Sequence, residues 1–311
     1  MANTFANPIN HGPDPWMTYY AGNYYLTTSQ QDCIRMWNAP TISGLADAPG
    51  VVVWQDDNPA RNKQVWAAEF HQIGDRWYMY YTASDGEDNH HRLFVLESAG
   101  SDPLGPYHFK AQMTDFWAID PGLLILPNGD LYFLWTGHQG NGSVGNVLFI
   151  ARMSNPWTIQ GEGVLISTPD YDWERCGFPV NEAPELLQRN GKIFLIYSAS
   201  DTGTPDYCLG MLTARADADL LDAASWDKTP HPVFCRDDAN GVFGTGHNGF
   251  FKSPDGTEDW IVYHAKTVSD YTYHGRITRA QPFHWNSDDT PNFGKPVALG
   301  QPLKKPSGDN T

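Results

Sequence analysis

Five titratable residues recur at comparable places along the 311-residue chain: Asp14, Glu69, Asp120, Glu182 and His247. Each stands before a short apolar run, a turn that contains Gly, and a second run rich in aromatic residues. The intervals between them are 55, 51, 62 and 65 residues. A strand does not ordinarily begin with a carboxylate, and carboxylates held close together raise one another's pKa. The repetition therefore predicts a functional cluster.

Three of these residues, Asp14, Asp120 and Glu182, have the side chains that glycoside hydrolysis requires. One protonated carboxyl assists the leaving oxygen, and one ionised carboxylate activates water or attacks the sugar. A third carboxylate can orient the acid and hold its proton by charge proximity. The sequence has no Ser/His/Asp order, no phosphate-binding Gly loop and no nicotinamide fingerprint, so acyl and phosphoryl transfer fit it less well.

Each residue of the set, taken alone, has a plainer interpretation. Asp14 and Asp120 precede Pro and are typical of turns, and Glu182 could be exposed at the start of a strand. Glu69 is equally suited to a structural hydrogen bond. His247 could be a buried core histidine, although its place in the repeat also suits an ordered water or a largely hydrated ion. Only the repetition favours function.

The elements that would position these residues are predicted to be β-hairpins. The turns "AGN", "IGD", "PNGD", "RNGK" and "PDGT" lie between apolar runs, and Asn-Gly and Asp-Gly tolerate the positive φ of tight turns. Five such units of about 50 to 65 residues predict an all-β, five-bladed β-propeller, whose innermost strands face a common channel. The only predicted helix is the short segment "DADLLDAASW" around Leu220. We expect one propeller over residues 1–311, with a polar tail over 301–311.

The composition limits the classes of molecule that the protein is expected to bind. The chain has 36 acidic and 20 basic residues, and the formal charge of −16 disfavours nucleic acid while leaving neutral polysaccharides available. No apolar run approaches the roughly 18 residues of a membrane span. No secretory signal is evident, so the location stays open between the cytoplasm and the extracellular space after removal of a signal.

Four cysteines, Cys33, Cys176, Cys208 and Cys235, have no C-x-x-C spacing and give no zinc or thioredoxin signature. We expect buried thiols, although four cysteines also allow up to two disulfides. The Asn-Gly-Ser at Asn141 is interpreted as a loop.

Aromatic residues make up 14% of the chain, and most of the tryptophans are expected to pack inside blades. Trp37 and Trp117 are the two that we place at the mouth of the channel. Flat aromatic faces there would suit the apolar faces of sugar rings.

The chain resembles glycoside hydrolase family 43, whose members are five-bladed propellers. The resemblance is carried by "PDPWM", "VWAAEFH", "IDPGLL", "NEAPELL", "FGTGHNGF" and "GRITRAQPFHW", in the family's order. It implies Asp14 as general base, Asp120 as the carboxylate that tunes and orients the acid, and Glu182 as general acid. It also implies that Arg276 reaches the sugar in the innermost subsite. His247 resembles the axial histidine that holds a hydrated ion, often calcium, in several members; no cofactor is implied for the chemistry.

Within the family, "NEAPELL", "YSASDTG", "GTGHNGFF" and "VYHA" are most similar to the α-L-arabinofuranosidases. This similarity implies an inverting, exo-acting enzyme that releases L-arabinose from α-1,5-arabinan or arabino-oligosaccharides of plant cell walls. A β-xylosidase of the same family is the first alternative. A sugar-binding propeller without activity is the second, and it would require a missing carboxylate, whereas all three are present.

Overall fold

A computed structural model describes residues 3–140 and 144–309 of the chain. About half of the chain is strand, 51%, and only 5% is helical. The loop prediction at Asn141 lies outside the described residues.

Five four-stranded antiparallel sheets follow one another along the chain, and each forms one blade. Blade 1 contains Trp16–Tyr20, Asn23–Thr28, Ile34–Ala39 and Val51–Trp54. Blade 2 contains Lys63–Ile73, Arg76–Ser84, Arg92–Ser98 and Tyr107–Gln112. Blade 3 contains Ala118–Ile125, Leu131–His138, Asn146–Asn155 and Thr158–Ser167. Blade 4 contains Asn181–Arg189, Lys192–Ala199, Cys208–Arg215 and Asp227–Lys228. Blade 5 contains Phe243–Lys252, Asp259–Lys266, Ile277–Trp285 and Pro291–Asn292. The prediction of an all-β, five-bladed propeller is confirmed.

The predicted turns join the first two strands of each blade. In blade 4, Arg189 pairs with Lys192, so the loop consists of Asn190 and Gly191, at φ values of 46° and 77°. Positive φ at both central residues is the two-residue turn that follows the right-handed twist of the flanking strands. The "RNGK" sequence supplies it because Asn and Gly tolerate that backbone conformation.

The first strands of neighbouring blades contact one another around a closed ring, so they surround the central channel. Hydrophobic clusters fill the spaces between successive blades. One cluster, for example, joins Leu134 and Ile150 of blade 3 to Leu195 and Tyr197 of blade 4, all of them buried. Burial of such side chains contributes roughly 1.5–3 kcal/mol each, and it fixes the strands that carry the channel residues.

The ring is closed by the two ends of the chain. Residue Asn10 forms a bridge with Thr278 of blade 5, and the Asn7 side chain makes two hydrogen bonds of 2.9 Å to the backbone of Ala280. Strand Thr4–Phe5 pairs with Leu303–Lys304. The described part of the predicted polar tail, residues 301–309, is therefore packed against the propeller, where the buried Asp309 accepts a 2.8 Å bond from the Ile42 N–H.

The helix predicted around Leu220 is wrong. That segment holds only a 3₁₀ turn, Ala223–Ser225, because Asp219 and Asp222 accept the N–H groups of Leu221 and Ala224 and hold the backbone in turns. The other 3₁₀ turns are Ile42–Ala46, Asp88–His90 and Asp172–Glu174. Among the described residues, no helix has the length and hydrophobicity to cross a membrane.

The four cysteines are free thiols. Cys33 and Cys208 are buried as predicted, whereas Cys235 is exposed and Cys176 is half-buried. No disulfide joins any two of these four cysteines.

Candidate active site

Each blade has, in its first strand or just before it, a residue in the left-handed backbone region at the channel. These residues are Asp14, Ala67, Asp120, Ala183 and His247, with φ between 46° and 54°. In blades 2 to 5 the pairing with the second strand is interrupted at this residue, as in a β-bulge. A bulge bends the strand and re-aims its side chains, and here it directs them into the channel.

A hydrogen bond to the preceding blade holds each of these five residues. The backbone N–H of the residue donates to a side chain at or just beyond the end of the second strand of that blade, at 2.8–3.2 Å. The acceptors are Ser29, Thr82, Thr136, Ser198 and His264. A left-handed residue other than Gly costs roughly 1–2 kcal/mol, which these bonds offset while they fix one blade against the next.

The left-handed positions refine the predicted repeat. Asp14, Asp120 and His247 occupy them, whereas Glu182 precedes Ala183 by one residue and Glu69 lies two residues beyond Ala67. The cavity of about 670 Å³ at the channel mouth is lined by Asp14, Asp120, Glu182 and His247 together with Trp117 and Arg276. Glu69 lies deeper in the channel and does not line this cavity.

Asp14 is buried and ion-paired. Its Oδ1 accepts a 3.1 Å bond from Nη1 of Arg276, and Nδ1 of His247 lies 3.4 Å from the same oxygen. Burial alone would raise the pKa of Asp14, but the Arg276 guanidinium and then His247 lower that pKa well below its usual value. Asp14 is therefore ionised throughout the neutral range, as a general base must be.

His264 is a site residue that the sequence analysis missed. Its Nδ1 accepts the backbone N–H of Asp14 at 3.2 Å, and its Nε2 lies 3.3 Å from Oγ1 of Thr202. Burial lowers the pKa of His264 to about 4, so the ring is neutral and Nδ1 is free to accept. The same Nδ1 lies 3.1 Å from Oδ1 of Asp14, but a nitrogen that accepts the N–H cannot also donate to that oxygen. Arg276 is thus the main donor to Asp14.

Glu182 lies in a different electrostatic environment. Its Oε1 accepts a 2.8 Å bond from the hydroxyl of Tyr207, and Nδ2 of Asn146 lies 3.4 Å from its Oε2. Burial, with a further contribution from the charge of Asp14, raises the pKa of Glu182 to about 7, although the bond from Tyr207 opposes the rise. Glu182 therefore carries a proton over much of the acidic to neutral range.

Asp120 is buried beside Glu182. Burial raises its pKa well above the usual value, and the charges of Glu182 and Asp14 raise it further. The nearby backbone N–H of Ala183 opposes part of this rise in the pKa of Asp120. Because the two carboxyls repel each other when both are ionised, the pair retains a proton near neutral pH.

Arg276 lines the cavity wall and positions Asp14. In addition to the bond to Asp14, its Nε donates to the backbone oxygen of Tyr273 at 3.1 Å, and its Nη1 lies 3.5 Å from Oγ1 of Thr202. The guanidinium is thereby held in one orientation at the cavity surface.

Of the two tryptophans predicted at the channel mouth, Trp117 and Trp37, only the first lies there. Trp117 lines the cavity, where its ring stacks on His138 at 3.7 Å and its Nε1 donates to the Asp88 carbonyl at 2.8 Å. Trp37 lies on the third strand of blade 1 and packs against a core cluster between blades 1 and 5. It does not line the cavity, because side chains of the outer strands pack between blades. Trp66, which is not among the two tryptophans predicted at the channel mouth, also lines the cavity.

His247 lines the cavity close to Asp14, and burial lowers its pKa. Its backbone N–H donates to Oγ of Ser198 at 2.8 Å. Within residues 3–140 and 144–309, no three His, Cys, Asp or Glu side chains are grouped so that they could hold a metal ion. Calcium prefers six to eight oxygen ligands, so a cation at His247 would rely mostly on water.

A second carboxyl pair lies one layer deeper in the channel. Glu69 of blade 2 and Glu185 of blade 4 are both buried and hydrogen-bond to each other, and Nε2 of His71 lies 3.0 Å from Oε2 of Glu69. Burial raises the pKa of Glu185 to about 7 and that of Glu69 well above its usual value, while it lowers the pKa of His71 to about 3. Glu69 thus makes a hydrogen bond between blades, which is the structural role that the sequence analysis gives as one of two interpretations of this residue.

A propeller whose axial cavity contains an ionised carboxylate, a protonated carboxyl and an aromatic wall has the architecture of a glycoside hydrolase. The sequence profile of glycosyl hydrolases family 43 matches residues 5–291. The chain belongs to this family.

Similar proteins agree with this assignment. The chain is 40% identical to the extracellular exo-α-(1→5)-L-arabinofuranosidase of Streptomyces avermitilis, over 96% of this chain and 64% of that protein. It is 41% identical to α-L-arabinofuranosidase 43 of Humicola insolens, over 90% of this chain and 60% of that one. The chain thus spans less than two thirds of these two relatives. The crystal structure of an α-L-arabinofuranosidase from Lactobacillus brevis superimposes with a TM-score of 0.90 at 36% identity, over 96% of this chain and 98% of that one.

Proposed function

We propose that the protein is an inverting, exo-acting α-L-arabinofuranosidase that releases L-arabinose from the non-reducing ends of α-1,5-arabinan or arabino-oligosaccharides. The observation that carries the proposal is that two carboxyls in one cavity have opposite pKa shifts. The pKa of Asp14 is lowered and the pKa of Glu182 is raised. Carboxyls held apart in pKa are the mark of a base and an acid that work together. The arabinose specificity is supported by the similarity of the chain to α-L-arabinofuranosidases.

In the proposed reaction, the Asp14 carboxylate removes a proton from a water molecule as its oxygen bonds to the anomeric carbon. The bond from that carbon to the leaving oxygen breaks, and Glu182 gives its proton to this oxygen. Asp14 ends protonated and Glu182 ionised, and exchange with solvent restores both. Tyr207 orients the Glu182 carboxyl, and Asp120 beside it favours the protonated form of the acid.

No cofactor enters this chemistry. We propose that His247 holds an ordered water or a mostly hydrated calcium ion under the cavity floor. Its role would be to position Asp14, whose Oδ1 lies 3.4 Å from the ring.

The activity is tested with an aryl α-L-arabinofuranoside and an aryl β-D-xyloside, from which release of the coloured phenol is followed. Faster release from the arabinofuranoside supports the proposal, and faster release from the xyloside favours a β-xylosidase. If neither substrate is cleaved while arabino-oligosaccharides still bind, the chain is a sugar-binding propeller.

A further inference from the structure

Two tyrosines stand at the rim of the catalytic cavity with much of their surface exposed. Tyr271 is 57% exposed and Tyr273 is 52% exposed, and both lie on the loop between the second and third strands of blade 5. Tyr273 lines the cavity that contains Glu182. Large aromatic side chains are normally buried, so two adjacent exposed rings at a cavity mouth suggest a binding surface.

A single carboxylate holds both hydroxyl groups. Tyr271 donates to Oδ2 of Asp201 at 2.8 Å and Tyr273 donates to the same oxygen at 3.1 Å, while Oδ1 accepts the Gly203 N–H at 2.7 Å. Each hydroxyl directs its hydrogen to Asp201 or to the other hydroxyl, 3.0 Å away, so both phenol oxygens keep a lone pair for another donor. Sugar hydroxyls are such donors, and the ring faces suit the C–H face of a sugar.

The rim is pre-organised. The buried Lys266 donates to the backbone oxygens of Gly203 at 2.6 Å, Thr272 at 3.1 Å and Asp270 at 3.4 Å, which fastens the tyrosine loop to the Asp201 loop. A Cβ on Gly203 would lie only 3.1 Å from the Tyr273 ring, so glycine allows the close approach. A ligand that binds here loses little affinity to the ordering of these loops.

The position of the rim identifies which sugar it meets. Thr202, next to Asp201, lines the cavity, and Arg276 bonds to the backbone of Tyr273. Asp201 follows the second strand of blade 4, on which Ser198 pairs with Glu182, so the carboxylate that holds the rim belongs to the same blade as the general acid. A general acid stands beside the leaving oxygen, so rim groups on its side face the leaving part of the substrate.

We propose that Tyr271 and Tyr273, held by Asp201, bind the sugar unit on the leaving side of the scissile bond and so select oligosaccharides over simple glycosides. This inference rests on the proposed function. Its readout is a ratio between two substrates, which is separate from whether the protein cleaves either.

The experiment measures kcat/KM on α-1,5-arabinotriose and on methyl α-L-arabinofuranoside, whose leaving group is too small to reach the rim. We expect Tyr271→Ala/Tyr273→Ala to lower the trisaccharide value about tenfold or more, and to change the methyl glycoside value less than about twofold, because remote binding energy is lost for the longer substrate alone. The double Phe variant keeps the rings and tests the phenol oxygens alone, with an expected loss of about three- to tenfold on the trisaccharide. Val268→Ala, an exposed residue of the same loop, is the control.

An equal loss on both substrates would overturn the proposal, and so would unchanged values on both. If the double Ala variant melts far below the wild type, the double Phe variant decides by the same ratio. Absence of any cleavage by the wild type would instead contradict the proposed function.

Discussion

Arg276 reaches across 262 residues of sequence to place Nη1 3.1 Å from Oδ1 of Asp14. This ion pair keeps a buried carboxylate ionised, since burial by itself would favour the neutral acid. The base catalysis proposed for Asp14 therefore depends on a residue of the last blade.

We predict that Arg276→Ala raises the pKa of Asp14 and lowers kcat about 100-fold, because the carboxylate loses both its charge partner and its orientation. Asp14 works only when ionised, and activity is lost as pH falls through its pKa. The acidic limb of the kcat/KM profile should therefore move towards neutral pH. Arg236→Ala, which removes an exposed ion pair with Asp206 and Asp238, should leave the profile in place. An unmoved acidic limb in Arg276→Ala would refute the role of the pair.

The acid and base are separated by their response to the leaving group. A dinitrophenolate departs without a proton, so Glu182→Ala should keep far more activity on dinitrophenyl α-L-arabinofuranoside than on arabino-oligosaccharides. Asp14→Ala should lose about 10²- to 10⁴-fold on both, because each substrate needs activated water. Melting curves serve as the folding control. Equal losses for both variants on both substrates would mean that the two roles are wrongly assigned.

The deeper carboxyl pair predicts a pH dependence of stability. Burial raises the pKa of Glu185 from 4.5 to about 7, so the folded state binds this proton more tightly than the unfolded state. Such a group gives its full stability below about pH 4.5, and that stability is lost as pH rises through about 7.

Glu185→Gln cannot ionise and can still donate to Glu69, so we expect it to gain on the order of 1–3 kcal/mol over the wild type at pH 8.5 and little at pH 4.5. Thermal or urea unfolding at the two pH values measures this difference. The exposed Glu162→Gln is the matched control. A gain of the same size at both pH values would exclude ionisation as its cause.

Much of this architecture is predictable from sequence because its signals are local. Turns such as Asn190–Gly191 encode their own φ values, and repetition of such turns gives the number of blades. The three carboxylates follow from the same repetition. What is missed depends on contacts between residues far apart in the sequence. Tyr207 reaches Glu182 within blade 4, and His264 of blade 5, which replaces the Ser or Thr of the other blades, holds Asp14 of blade 1. That exception was visible when "VYHAK" is compared with "IYSAS", but its meaning required the bond to Asp14.

The wrong predictions concern strand position and backbone conformation, which residue types do not reveal. Trp37 has the right chemistry for a sugar platform, but sequence does not reveal that its strand is the third of its blade. The sequence repeat aligns Glu69 and Glu182 with Asp14, although the left-handed residues near them are Ala67 and Ala183. Backbone conformation, rather than residue type, defines the equivalent positions.

A hydrated ion at His247 predicts a response to chelation. Exhaustive treatment with a chelator should lower the activity or the melting temperature of the wild type, and should have little further effect on His247→Ala. Restoration by added calcium is the control for damage by the chelator. If the wild type does not respond, no ion contributes at His247, and this residue is only a structural part of the cavity wall.

In the proposed mechanism Asp14 is a base that activates water for direct attack, which requires about 6.5–9.5 Å between its carboxyl and that of Glu182. The most direct test is proton NMR of the sugar released in the first minutes from an aryl α-L-arabinofuranoside, before mutarotation. We predict that the anomer with inverted configuration, β-L-arabinofuranose, accumulates first. First appearance of the α anomer would show retention through a covalent intermediate and contradict the assignment of Asp14.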